Sequence, residues 1–121
     1  QRGLPIQYLM KYFKQQGERW QIDPAIRSRV RFRVFNLLEE PTSLGGFDVI
    51  FCRNVLIYFD QPTKTTVLAR LSRILASDGY LFLGGAETVL GISDKFQAST
   101  ENRGVYSPVT APQPQQRVAV G

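Results

Sequence analysis

From Leu4 to Gln15 the apolar residues Ile6, Leu9, Met10 and Phe13 recur at helical steps between polar ones, which predicts an amphipathic helix. Pro5 suits its first turn and Gly17 its end. Arg19 to Ile22 reads as a short strand, after which Asp23 offers an N-cap and Pro24 a first helical position for a short helix reaching Val30. Arg31 to Leu38 alternates, with Phe32, Val34 and Asn36 on one side and Arg33, Phe35 and Leu37 on the other, so a strand is predicted there. A turn-rich loop, Glu39 to Gly46, leads into the nearly unbroken apolar run Phe47 to Cys52, as expected of a central strand covered on both faces. Asp60 is placed to cap a helix over Gln61 to Ser77, with Val67, Leu68, Leu71, Ile74 and Leu75 as its apolar stripe. Asp78 and Gly79 form the turn out of it, and Tyr80 to Leu83 is a second apolar strand stopped by Gly84 and Gly85. One helical turn is expected within Leu90 to Phe96, a last strand over Gly104 to Val109, and a disordered tail over residues 108–121. This order of elements is α/β, the later part of a doubly wound sheet.

Composition narrows the class. With 43% hydrophobic residues in 121 the chain can pack a core, and no apolar run approaches the roughly 20 residues that cross a bilayer. The single cysteine, Cys52, excludes an internal disulfide, and without histidine a zinc site is unfavourable, so a cytoplasmic setting is expected. The net charge of +5 is concentrated at the front: residues 1–33 carry eight basic side chains against two acidic ones. Such a front end suits an anionic partner, or serves simply as a solvated face.

The chemistry sits at one strand end. Arg53 and Asn54 follow the Phe47 to Cys52 run directly, at the carboxyl end where open α/β sheets bind ligands. Taken singly, each candidate also has a plainer reading: Asn36 as a turn residue, Tyr58 as a core aromatic, Cys52 as a small buried hydrophobe.

The contiguous stretch Phe47-Asp48-Val49-Ile50-Phe51-Cys52-Arg53-Asn54-Val55-Leu56-Ile57-Tyr58-Phe59-Asp60 resembles the signature of CheR-type chemotaxis-receptor methyltransferases. Asn36-Leu37-Leu38, Asp78-Gly79-Tyr80-Leu81-Phe82, Gly84-Gly85-Ala86-Glu87-Thr88, Phe96 and Val105-Tyr106 add to the resemblance, which runs from Arg2 to Ser107. It implies a partial S-adenosylmethionine (SAM) methyltransferase domain over residues 1–107, the C-terminal portion of a Rossmann-like class I sheet, with residues 14–35 similar to a small β-subdomain. The implied activity is methyl transfer from SAM to glutamate side chains of chemoreceptors, leaving S-adenosylhomocysteine. By the same resemblance Asn36 and Leu37 line the adenine end of the cofactor, Arg53 and Asn54 contact it from the strand end, and Tyr58 stands near the transferred methyl as the catalytic residue. An asparagine amide offers a base edge both a donor and an acceptor, and a phenol or guanidinium can orient a carboxylate.

Set against the family's pattern, the first strands and the glycine-rich phosphate-type loop are missing, which leads to the expectation of a truncated chain, inactive alone and dimeric or intertwined through an unpaired strand. Gly85-Ala86 stands where the family usually has histidine and serine, and the loop Gln15 to Arg19 is short, which favours receptor recognition without a tether. The partner implied is the acidic cytoplasmic part of a membrane chemoreceptor, with no nucleic acid and no membrane insertion. The competing expectation is a non-catalytic module that holds an acidic partner through its basic front end.

Overall fold

The structure is a computed structural model that describes residues 3–109, and the chain divides into two compact units, Gln1–Phe35 and Asn36–Gly121. In the first unit, helix α1 (Ile6–Tyr12) starts after Pro5, whose carbonyl accepts from the N–H groups of Tyr8 and Leu9. It is shorter than its periodicity predicts. Phe13 turns extended, and β1 (Phe13–Gln16) pairs antiparallel with β2 (Arg19–Ile22), from Phe13 opposite Ile22 to Gln16 opposite Arg19. Cross-strand bonds thus take the backbone groups that a longer helix would have used. Gly17 serves this two-residue hairpin turn, at φ 64°, instead of ending the helix. Asp23 caps α2 (Pro24–Arg27) as predicted, its carboxylate accepting from the Ala25 N–H at 2.9 Å, although the helix stops short of Val30.

The strand expected over Arg31 to Leu38 does not form. Phe32 is 88% exposed and Val34 fully so, and residues 31–36 have no ladder partner among the described residues. Alternation favours an extended backbone, but without a neighbouring strand there is no ladder to stabilise it.

The second unit is built on a four-stranded mixed sheet of order β3-β4-β6-β5. Strand β3 (Phe47–Cys52) has the predicted bounds and runs parallel to β4 (Leu75–Leu83), the two being joined through a 3₁₀ turn at Leu56–Tyr58 and helix α3 (Gln61–Ile74). Asp60 caps α3 by accepting from Thr63 N–H at 2.9 Å. Here α3 ends three residues earlier than predicted, because Leu75 already pairs with Phe47. The pairing resumes only at Val49 with Tyr80, so residues 76–79 bulge, and the Asp78-Gly79 turn is absorbed into the strand. A Cβ on Gly79 would lie 2.6 Å from the Asp48 carbonyl, so only glycine fits there. Beyond β4 lie β6 (Val105–Pro108), antiparallel to it, and β5 (Phe96–Ala98), antiparallel to β6. Strand β5 was not foreseen, and the expected helical turn near Leu90 is a tight turn in which Val89 O accepts from Ile92 and Ser93. Pro108 belongs to β6, so the last strand runs into the segment expected to be tail; residues 110–121 lie outside the described residues.

One face of the sheet is closed by α3: Val67, Leu68, Leu71 and Ile74 pack on Cys52, Leu81, Leu83 and Tyr106. On the other face Phe51 stacks on Phe82, with ring centroids 4.7 Å apart, and remains 70% exposed. Among the described residues β3 is therefore an edge strand covered on one face, not the doubly covered central strand its apolar run predicts.

Candidate functional site

The carboxyl end of β3 is where the polar candidates gather. Cys52 is buried under α3, and the next residue turns outward: the Arg53 Nε donates to the Leu83 carbonyl at 3.2 Å, tying the end of β3 to the end of β4. Arg53 borders an open groove of about 700 Å³ that Phe51, Tyr80, Phe82 and Arg103 also line. Asn54 has φ 60°, the left-handed region, and is the only such non-glycine residue among those described. Its side chain lies over Gly84, where a Cβ would collide with the Asn54 amide oxygen and come within 2.8 Å of Glu87 Oε1.

Glu87 organises this corner. It is only 9% exposed, and its two oxygens accept four backbone N–H groups: Oε1 from Asn54 at 2.8 Å and Gly84 at 2.7 Å, Oε2 from Val55 at 2.9 Å and Ile57 at 3.3 Å. Burial pushes this carboxyl up, but backbone N–H groups, those of Asn54, Gly84 and Ile57 among them, pull further the other way and hold it below the ordinary carboxylate value. Burial, together with the nearby Glu87 charge, pushes the Cys52 thiol up to about 11, so this cysteine stays protonated and unreactive at neutral pH. Glu87 stands in the motif Gly84 to Thr88 without an assigned role; the signal for one is an acidic residue two positions after a glycine pair that ends an apolar strand.

Tyr58 closes the 3₁₀ turn, its N–H donating to the Val55 carbonyl at 3.2 Å. Leu56, 2% exposed, anchors that turn in the core, while Tyr58 itself is 79% exposed. Tyr58 is therefore not a core aromatic, and the Glu87 bonds to residues 54, 55 and 57 fix the segment that carries both it and Asn54.

Asn36 and Leu37 are placed differently. The Asn36 Oδ1 accepts from Leu38 N–H at 2.9 Å, a local turn, which leaves the amide NH₂ to donate elsewhere. Leu37 packs against the same buried cluster as Val55 and Phe59. Arg70 on α3 donates to the Leu38 carbonyl and steadies this segment. The structure thus joins Arg53, Asn54 and the Tyr58 turn through Leu83, Gly84 and Glu87, whereas no hydrogen bond among the described residues links Asn36 or Leu37 to them.

No cluster of histidine, cysteine, aspartate and glutamate suited to a metal occurs among the described residues. Nor is any helix there long and apolar enough to cross a membrane. The strand end offers an exposed amide, a guanidinium and a phenol on a braced backbone, groups that can donate and accept hydrogen bonds.

Comparison with known proteins gives a consistent result. Residues 1–105 match the family model described as CheR methyltransferase, SAM binding domain. The chain is 52% identical, over 97 residues, to the chemotaxis protein methyltransferase Cher2 of Pseudomonas putida, covering 79% of this chain and 35% of that protein. It is 40% identical over 105 residues to chemotaxis protein methyltransferase 1 of Vibrio cholerae, covering 86% of this chain and 38% of the relative. Against the probable biofilm formation methyltransferase WspC of Pseudomonas aeruginosa it is 42% identical over 92 residues, covering 74% and 22%. The chain spans little more than a third of the length of the first two relatives.

Proposed function

Since this chain belongs to the CheR methyltransferase family, matching its SAM binding domain, we propose that it serves in methyl transfer from SAM to glutamate side chains of a chemoreceptor. The observation that carries this reading is the braced polar end of β3, where Arg53, Asn54 and Tyr58 follow the buried Cys52 within six residues and two of the three stand on a segment held by Glu87. Family membership supports an enzyme over a non-catalytic anion-binding module.

When bound, the cofactor supplies a methyl group on a sulfonium, a strong electrophile. A receptor glutamate is ionised at neutral pH, so its oxygen can take the methyl without a general base. Such a transfer would form one C–O bond and break one C–S bond, which would leave the protein no proton to move. The protein's share is then alignment and exclusion of competing nucleophiles. Arg53 and Asn54 would hold the cofactor from the strand end, the Asn36 NH₂ would donate to the adenine edge while Leu37 covers its ring, and the exposed Tyr58 phenol would orient the incoming carboxylate. In the first unit Lys11, Lys14, Arg19, Arg27, Arg29, Arg31 and Arg33 are all exposed, an excess of positive charge that suits an acidic, glutamate-bearing receptor helix.

The test uses the full-length gene product, a receptor cytoplasmic domain and methyl-labelled SAM. Transfer of label into base-labile methyl esters on receptor glutamates is expected. Label incorporated as base-stable product, or none at all, refutes the reading.

A further inference from the structure

We infer that Glu87 is a positioning residue of the proposed methyl-transfer site: its carboxylate fixes residues 54–57 in the single backbone form that presents Asn54 and Tyr58 to cofactor and substrate. The inference rests on the function proposed above and assigns it a residue that never touches the reacting atoms.

Geometry supports this in three ways. Glu87 cross-links two elements, accepting from Gly84 at the end of β4 and from three N–H groups in the segment after β3, so the ends of two adjacent strands share one anchor. Asn54 is held at φ 60°, a conformation that L-residues rarely adopt unaided, and its N–H is one of the groups bound. Gly84 is left without the Cβ that would collide with both the Asn54 side chain and the carboxylate. The anchor is itself secured: Glu87 N–H donates to Gly84 O at 3.1 Å, Val89 is 1% exposed, and Gln61 and Thr65 of α3 bond to the carbonyls of Gly91 and Ile92. A glutamine cannot replace this carboxylate, because its NH₂ would face two of the four N–H donors.

The experiment compares the full-length gene product with its Glu87→Gln and Gly84→Ala variants, reading KM for SAM and kcat per folded molecule together with amide hydrogen exchange. In Glu87→Gln, exchange at Asn54, Val55, Ile57 and Gly84 should accelerate while the β4–β6 pairs at Leu81 and Phe82 stay protected. Its KM for SAM should rise, and kcat per folded molecule should fall by about 100-fold, the scale of a small misplacement of reacting groups. Gly84→Ala, which keeps the charge, should raise KM for SAM in the same direction. Folded variants with wild-type KM and kcat, differing only in yield or melting temperature, would overturn the inference by showing a purely structural role. Should Glu87→Gln fail to fold, the wild-type protein still decides: rapid exchange at Asn54, Val55 and Ile57 would overturn it. A wild-type protein that transfers no methyl sinks the function instead, while the exchange pattern continues to report on Glu87.

Discussion

Asn54 offers a test in which conformation and chemistry give opposite signs. At φ 60° a side chain other than glycine, asparagine or aspartate crowds the following carbonyl, at a cost of about 1–2 kcal/mol. Replacing glycine by alanine at an ordinary position stabilises by about 0.4–1 kcal/mol, because the unfolded chain loses freedom. The strain outweighs that gain here, so Asn54→Ala should be less stable than Asn54→Gly by about 0.8 kcal/mol, the midpoint left when the two ranges are set against each other. For a domain of this size each kcal/mol shifts the melting temperature by about 4–8 °C, which calorimetry resolves. Both variants lack the amide, so both should bind S-adenosylhomocysteine more weakly than the parent protein, and the better-folded glycine variant should be no exception. An alanine variant at least as stable as the glycine one would refute the left-handed backbone at this position. Parental affinity in Asn54→Gly would refute the contact with the cofactor.

The lowered ionisation of Glu87 predicts an acid limb in stability. Its folded-state value lies below the ordinary 4.5, so its contribution is complete above about pH 4.5 and is lost as pH falls through the folded value; Cys52, the thiol nearest in charge, titrates far above this window. Denaturant midpoints measured from pH 6 down to pH 3 should fall more steeply in the parent protein than in Glu87→Gln, and identical limbs would count against the four-bond anchor. The outer edge of β3 has no partner strand among the described residues, while Val49 and Phe51 are 44% and 70% exposed, so the 121-residue polypeptide should associate with rising concentration. Light scattering should show dimers or larger species that Val49→Lys diminishes, and a strict monomer at high concentration would refute edge pairing.

What the sequence made legible follows local chemistry. Strand β3 has its predicted bounds because an apolar run meets an abrupt polar end, and α3 begins where predicted because Asp60 bonds within its own first turn. What stayed hidden depends on neighbours. Leu75 to Ser77 suit a helix as well as a strand, and it is the ladder with Phe47 that claims them for β4. Strand β5 is three residues long, too short for any periodicity to register. Residues 31–36 show the converse: correct alternation yields no strand where no partner is present.

The same division runs through the site. Position at a strand end marked Arg53 and Asn54 alone; Tyr58 could be named with them because the contiguous stretch Phe47 to Asp60 resembles the family signature. Glu87 acts at a separation of 30 to 33 residues from Ile57, Val55 and Asn54, and it acts on backbone N–H groups, which every residue but proline possesses. Its partners therefore leave no mark in side-chain identity. The trace it does leave is indirect: glycine at 84, where a Cβ would collide, and asparagine at 54, among the residues most tolerant of a left-handed backbone. A buried carboxylate near such a pair is a feature that sequence reading can look for, because the constraint falls on the small and left-handed residues even when the bonds themselves fall on the main chain.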